Sequence, residues 1–165
     1  MSSGEIFIGL GANLGMPRKT FDASLVHLEA TACRVRKKSS LYRSQPYGFK
    51  DQPDFLNSVI EIETSLSPLD LLKKLQDIEK ILGKKIIREN GPRLIDLDLL
   101  LYRDTILDKE SLKLPHPGIT ERDFVLLPLV EIAPDFLHPV NHHSMKTLLG
   151  NVDKTHQKGA PLPWD

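Results

Sequence analysis

The chain has 165 residues, 40% of them hydrophobic and 27% charged, and its 22 basic side chains balance 22 acidic ones. This length predicts a single domain with a substantial core, and the zero net charge argues against nucleic acid or a membrane surface as a partner. Cys33 is the only cysteine, which excludes an internal disulfide, and with no signal peptide or membrane-length apolar run in the sequence we expect a cytoplasmic location.

Hydrophobic periodicity predicts the first elements in chain order. Residues 5–10 alternate as a strand does, and Pro17 opens a helix whose apolar side chains recur at helical spacing. Residues 33–43 predict a second, more polar strand. Residues 45–54 contain two prolines and a glycine and predict a long loop.

The second half of the chain predicts another strand, helix and strand. Residues 55–64 form the strand, and a capping box opens a helix that we expect to bury Leu72, Leu75, Ile78 and Leu82. A basic loop over residues 84–92 leads into a leucine-rich strand. Short helices are expected over residues 121–132.

The order β-α-β-β-α-β predicts a ferredoxin-like α+β fold, an antiparallel sheet with helices packed on one face and active-site loops at one end. We expect one domain over residues 1–165, in which about 150–165 form a polar, proline-rich and poorly ordered tail. No P-loop sequence is present. Gly9, Gly11 and Gly15 do not fit a dinucleotide fingerprint, so tight-turn geometry is the better interpretation of all three.

The leucine-rich strand carries two carboxylates, Asp96 and Asp98, at a spacing that places both on one face. We expect the opposite, apolar face to consist of Ile95, Leu97, Leu99 and Leu101. Two like charges on such a strand need a positive partner, and oxygen ligands favour Mg²⁺ or Ca²⁺. Arg93 adds a planar fork that suits phosphate. A purely structural role for the aspartates is the alternative.

Other polar residues are candidates for a phosphate site. Gln76 and Glu79 share one helix face, although a solvated helix flank would look the same. His116 is held between two prolines. Positive charge concentrates just before the aspartate strand, where a triphosphate clamp is favoured over a solvated charge run, at Lys84, Lys85, Arg88 and Arg93.

The chain resembles the 6-hydroxymethyl-7,8-dihydropterin pyrophosphokinase family of folate biosynthesis. The most specific matching motif is Gly91-Pro92-Arg93-Leu94-Ile95-Asp96-Leu97-Asp98. The other matches follow in family order and span most of the chain: residues 8–15, 42–44, 51–57, 76–79, 115–117, 121–124 and 127–134.

This resemblance implies transfer of pyrophosphate from ATP, the co-substrate, to the hydroxymethyl group of the pterin, with AMP as the second product. It implies four catalytic residues: Asp96 and Asp98 as ligands of two Mg²⁺ ions, and Arg93 and Arg122 as stabilisers of developing charge. The residues it places at the ATP site are Gln76, Glu79, Lys84, Arg88, Arg93, Leu99, Lys113, His116 and Arg122. The residues it places at the pterin site are Ser44, Tyr47, Phe55, Asn57 and Phe124.

Two of these implications agree with side-chain chemistry. Phe55 and Phe124 could sandwich a flat heterocycle, and Asn57 offers both a donor and an acceptor. In some organisms this activity is fused to neighbouring folate enzymes, so a fused or functionally linked enzyme is an expected partner. The alternatives are another Mg²⁺-dependent phosphotransferase or nuclease, or a non-catalytic ferredoxin-like module that binds RNA or a small ligand.

Overall fold

A computed structural model describes residues 4–46, 50–83, 94–153 and 156–164. The fold is α+β, as predicted, with an antiparallel sheet and helices packed on it. The elements in chain order are β1 (Ile6–Ala12), α1 (Pro17–Glu29), β2 (Cys33–Lys38), β3 (Leu41–Ser44), β4 (Phe55–Thr64), α2 (Pro68–Ile81), β5 (Asp96–Tyr102), β6 (Leu107–Asp108), β7 (Lys113–Leu114), α3 (Asp123–Ile132), α4 (Met145–Gly150) and β8 (Gln157–Leu162).

In the described part of the chain, the main sheet has the order β5-β1-β4-β3-β8, and β2 also pairs with β4. The predicted strand over residues 33–43 is therefore wrong in one respect, because it consists of two strands that pair with different halves of β4. The interruption lies at Ser39. Its backbone N–H still donates to the Val59 carbonyl at 2.9 Å, but the Val59 N–H is accepted at 3.0 Å by the Ser39 hydroxyl and not by a backbone carbonyl.

Helices cover both faces of the sheet, so the prediction that they pack on one face is wrong. One core cluster packs α1 and α2 against the sheet, and a second packs α3 and α4 on the opposite face. On α2 the buried residues are Leu71, Leu75, Ile78 and Glu79. Leu72 and Leu82 are only partly buried, contrary to expectation, because they lie at the edges of the stripe centred on the three buried apolar residues.

A β-bulge changes the predicted apolar face of β5. The register with β1 shifts between Phe7 and Ile8, which pair with Leu101 and Leu99 respectively. The extra residue reverses the side-chain alternation. Leu101 consequently packs in the α3–α4 cluster, and Tyr102 packs in the α1–α2 cluster. The predicted apolar face is therefore wrong for Leu101, while Ile95, Leu97 and Leu99 share one face and pack in the α1–α2 cluster.

The expectation of a poorly ordered tail is also wrong. β8 pairs antiparallel with β3 at the edge of the sheet, and Trp164 is only 9% exposed. An edge strand tolerates proline and polar side chains because one side of its backbone needs no partner strand. This explains why the composition of the segment did not indicate a strand. Among the described residues, no helix combines the length and apolarity required to cross a membrane.

Candidate active site

A pocket opens on the α3 face of the sheet, over β1, β4 and β5. It brings together seven of the residues that the sequence singled out: Ser44, Phe55, Asn57, Asp96, Asp98, Arg122 and Phe124. Residues that the sequence did not assign complete the lining: Gly9, Leu10, Gly11, Gln45, Ser58, Val59, Leu100 and Val125.

The two aspartates face this pocket from β5. They lie at least partly exposed, while Leu97 and Leu99 between and after them are buried in the opposite cluster. No group of three or more potential metal ligands occurs among the described residues. The carboxylates that line the pocket are those of Asp96 and Asp98. That donor set fits Mg²⁺, which proteins commonly hold with one or two carboxylates while substrate phosphates supply further oxygens.

Two glycines of β1 form the floor beside these carboxylates. Gly9 pairs with Asp98 and Gly11 with Asp96. A Cβ atom would lie 3.3 Å from Leu100 Cδ1 if added at Gly9, and 3.4 Å from Asn57 Oδ1 if added at Gly11. The tight-turn interpretation is therefore wrong for both. Gly9 and Gly11 alternate with apolar residues along β1. This spacing of two could have indicated that one face of the strand carries glycines in place of larger side chains.

Gly15 does fit the turn interpretation. Its φ of +66° lies in the left-handed region that glycine adopts without strain.

Asn57 is oriented by its neighbours. Its Nδ2 donates to the Tyr42 carbonyl at 3.2 Å and to the Ser44 hydroxyl at 2.8 Å, which uses both amide hydrogens. The side chain therefore offers Oδ1, an acceptor, to a ligand. The sequence predicted that Asn57 offers a ligand both a donor and an acceptor, but in this arrangement only the acceptor remains for the ligand.

Helix α3 carries Arg122 and Phe124 at its start and is fixed to the sheet at its far end. There the Glu131 carboxylate accepts hydrogen bonds from the Ser40 backbone N–H at 3.0 Å and from the Tyr42 hydroxyl at 2.7 Å. Burial, followed by this hydrogen bond and the charge of Glu131, raises the pKa of Tyr42. Tyr42 is thus a donor to α3 through its hydroxyl and an acceptor for Asn57 through its carbonyl.

Glu79 supports the aspartate strand from behind. The residue is 7% exposed, and its Oε2 accepts the Leu97 backbone N–H at 2.7 Å. It therefore fixes the strand between Asp96 and Asp98 and does not line the pocket. Gln76, on the same side of α2, is exposed. Neither arrangement tests a contact with ATP, which stays a prediction for both residues.

Replacing Glu79 with alanine should lower the free energy of unfolding by about 1–3 kcal/mol, because the Leu97 N–H loses its acceptor in a buried environment. Glu79→Gln should cost less, since it keeps one oxygen acceptor. Urea denaturation measures both effects. Lys73→Ala, on the exposed side of α2, is the control and should change stability by less than about 0.5 kcal/mol. Equal effects of Glu79→Ala and Lys73→Ala would contradict the assigned support.

His116 adjoins the arginine side of the pocket. Its Nδ1 accepts the Gly118 N–H at 2.9 Å, which places the proton of the neutral ring on Nε2. Burial, and secondarily the charge of Arg122, lowers the pKa of His116 from 6.5 to about 4. The ring is therefore neutral at physiological pH and offers an N–H donor.

This lowered pKa predicts a pH dependence of stability. Above about pH 6.5 the ring is neutral in both the folded and the unfolded protein, so the ionisation of His116 does not reduce the free energy of unfolding there. As the pH falls from about 6.5 toward 4, the unfolded chain binds a proton that the folded one excludes, so the free energy of unfolding decreases. His116→Gln should reduce this decrease. Urea denaturation at pH 7.5, 5.5 and 4.5 compares the two proteins; parallel curves would contradict the prediction.

The other predicted ATP-site residues lie away from the pocket or outside the described residues. Leu99 is 2% exposed in the α1–α2 cluster. Lys113 is exposed on β7, and its Nζ lies 2.5 Å from Asp108 Oδ1. The predicted phosphate clamp of Lys84, Lys85, Arg88 and Arg93 lies outside the described residues, and so does Tyr47, which was predicted at the pterin site.

Comparison with known proteins identifies the relatives of this chain. Residues 7–134 match the family described as 7,8-dihydro-6-hydroxymethylpterin-pyrophosphokinase (HPPK). The chain is 46% identical over 147 residues to the Folic acid synthesis protein fol1 of Pneumocystis carinii, an alignment that covers 89% of this chain and 20% of that protein.

A bacterial relative has nearly the same extent as this chain. The 2-amino-4-hydroxy-6-hydroxymethyldihydropteridine pyrophosphokinase of Haemophilus influenzae is 43% identical over 134 residues, covering 81% of this chain and 84% of its own. The solved wild-type HPPK-DHPS of Plasmodium falciparum with pteroate superposes with a TM-score of 0.70 at 14% identity, over 91% of this chain and 44% of that one. This last similarity concerns the fold alone.

Proposed function

The chain belongs to the 7,8-dihydro-6-hydroxymethylpterin-pyrophosphokinase family, and on that premise we propose that it transfers pyrophosphate from ATP to the hydroxymethyl group of 6-hydroxymethyl-7,8-dihydropterin. The products are the pterin diphosphate and AMP, in a step of folate biosynthesis. One observation carries the proposal: a single pocket presents two carboxylates, an arginine and two phenylalanines. The first three suit phosphates with a metal, and the phenylalanines suit a flat ring.

The pterin part of the pocket consists of Phe55, Asn57 and Phe124, with Ser44 beside them. The two phenyl rings come from different elements, β4 and α3, and can hold a planar heterocycle between them. Asn57 Oδ1 accepts a hydrogen bond from an N–H group at the edge of the ring. Tyr47 is assigned here from the sequence resemblance.

Asp96 and Asp98, which line the pocket, would hold two Mg²⁺ ions. Bound there, Mg²⁺ would neutralise the triphosphate and hold it in a defined orientation. The residues of β1 that pair with these two aspartates are glycines, which place no side chain beside either carboxylate, and this supports the assignment. We assign ATP contacts from the resemblance to Gln76, Glu79, Lys84, Arg88, Leu99, Lys113 and His116.

The transfer itself needs an oxygen nucleophile from the substrate. The pterin hydroxyl oxygen forms a bond to the β-phosphorus of ATP, the bond from that phosphorus to the oxygen on the α-phosphate breaks, and the hydroxyl proton is released. Arg122 lines the pocket and stabilises the charge that develops on the phosphate oxygens, and Arg93 is assigned the same role. The protein binds and orients both substrates and excludes water, which would compete with the hydroxyl.

Isotope transfer tests this proposal against ordinary phosphoryl transfer. With ATP labelled at the β-phosphate, the label should appear in the pterin product while AMP accumulates unlabelled. Label that stays in ADP would show a different phosphotransferase, and label trapped on the protein would show a covalent intermediate. Either result would contradict the proposal.

A cytoplasmic location and a functional link to neighbouring folate enzymes both stay predictions. The second is supported by the length of the Pneumocystis carinii relative, of which this chain covers 20%.

A further inference from the structure

Residues 156–164, here called the β8 segment, contact two sides of the pocket. On one side Gln157 pairs with Ser44, and the Gln45 N–H donates to the His156 carbonyl at 2.7 Å. Ser44 and Gln45 both line the pocket. On the other side the segment contacts the start of α3, which supplies Arg122 and Phe124.

Asp123 makes this second contact. Its side chain is fully buried, and Oδ2 accepts the backbone N–H groups of His156 at 3.2 Å and Gln157 at 2.8 Å. Oδ1 accepts the Phe124 N–H at 3.0 Å. A buried carboxylate is retained only where such donors satisfy it. Asp123 does not line the pocket, yet it is the residue between two that do.

The far end of the β8 segment is fixed in the core. Trp164 Nε1 donates to the Ser39 carbonyl at 2.7 Å, and the ring centroid lies 5.8 Å from that of Phe21. The Lys38 ammonium lies 4.4 Å from the centroid of the same ring. At the near end, the rings of His156 and Phe124 contact each other edge to face, with their centroids 6.0 Å apart. The segment is therefore held at both ends and along its pairing with β3.

We propose that Asp123 is a positioning residue, and that the β8 segment fixes Arg122 and Phe124 against the pocket through it. This inference rests on the proposed function, since it concerns the same two side chains. The segment lies outside residues 7–134, which match the family, and it joins the two pocket walls by backbone hydrogen bonds that require no particular side chains of its own.

Asp123→Asn is the sharpest test. Asparagine has one acceptor oxygen in place of two, so it can satisfy the Phe124 N–H or the two N–H groups of the β8 segment, but not both sets. We expect pterin affinity to fall about tenfold and kcat to fall by a similar factor, because both the ring contact and Arg122 lose their exact placement. Hydrogen exchange at His156 and Gln157 should accelerate.

The matched control is Ser67→Ala, which removes the hydroxyl that accepts the Asp70 N–H at the start of α2. It should lower stability without changing pterin affinity or kcat by more than about twofold. A pterin affinity for Asp123→Asn within twofold of wild type would overturn the inference. If that variant does not fold, Trp164→Phe replaces it: weaker pterin binding supports the inference, and unchanged binding overturns it.

Wild-type turnover keeps the two proposals distinguishable. If wild type does not transfer pyrophosphate, the proposed function fails whatever Asp123→Asn does. If wild type is active and Asp123→Asn binds and turns over the pterin normally, only the positioning role fails.

Discussion

Replacing either Asp96 or Asp98 with alanine should reduce turnover by about a thousandfold or more while the protein stays folded. Each change removes one of the two carboxylates that the pocket offers, and the remaining one cannot hold two ions against a triphosphate. The fold should be retained, because both side chains are at least partly exposed and belong to neither core cluster. Steady-state kinetics at saturating Mg²⁺ measures the effect, and thermal unfolding checks the fold.

Asp104→Ala is the control for both variants. This aspartate is exposed in the turn that follows β5, so its removal changes the same charge without touching the pocket. It should keep full activity. Near-normal turnover of Asp96→Ala or Asp98→Ala would contradict the metal assignment.

Gly11→Val should weaken pterin binding by about a hundredfold without loss of stability. A Cβ atom at this position lies 3.4 Å from Asn57 Oδ1, and the two methyl groups beyond it would occupy the pocket floor. A hundredfold loss of affinity corresponds to about 2.8 kcal/mol of lost pterin contacts, since each 1.4 kcal/mol is a factor of ten. Glycine in a strand interior is itself destabilising by about 0.5–1 kcal/mol, so a β-branched residue there should preserve or raise the free energy of unfolding.

Ile8→Val gives the opposite pattern and serves as the control. Ile8 is fully buried on the other face of β1, so its truncation should cost about 0.5–1.5 kcal/mol in stability and leave pterin binding unchanged. Calorimetric titration and urea denaturation of both variants test the pair. Unaltered pterin affinity in Gly11→Val would show that the ligand does not lie over β1.

Local periodicity was sufficient where a feature depends on one element. The spacing of Asp96 and Asp98 places them on one strand face, and they do lie together in the pocket. The order of strands and helices likewise predicts the antiparallel α+β sheet. Side-chain spacing and the order of elements can both be read from the sequence without the details of strand pairing.

Features that depend on distant partners were not predictable in this way. Leu101 changes face because of a bulge in the pairing with β1, and Glu79 turns inward to an N–H group on β5. β8 forms because Asp123 and β3 provide partners for its backbone and Trp164 anchors it in the core. No property of residues 156–164 alone indicates those contacts.

Binding of a non-hydrolysable ATP analogue tests the central claim, that the carboxylate pair forms a metal-dependent phosphate site beside the pterin pocket. Calorimetric titration should compare wild type with the double variant Asp96→Asn/Asp98→Asn, each in Mg²⁺ and in EDTA. The predicted result is tight, Mg²⁺-dependent binding of the analogue to wild type and its loss in the double variant. Binding of the analogue that is equally tight without Mg²⁺, or unchanged in the double variant, would contradict the account.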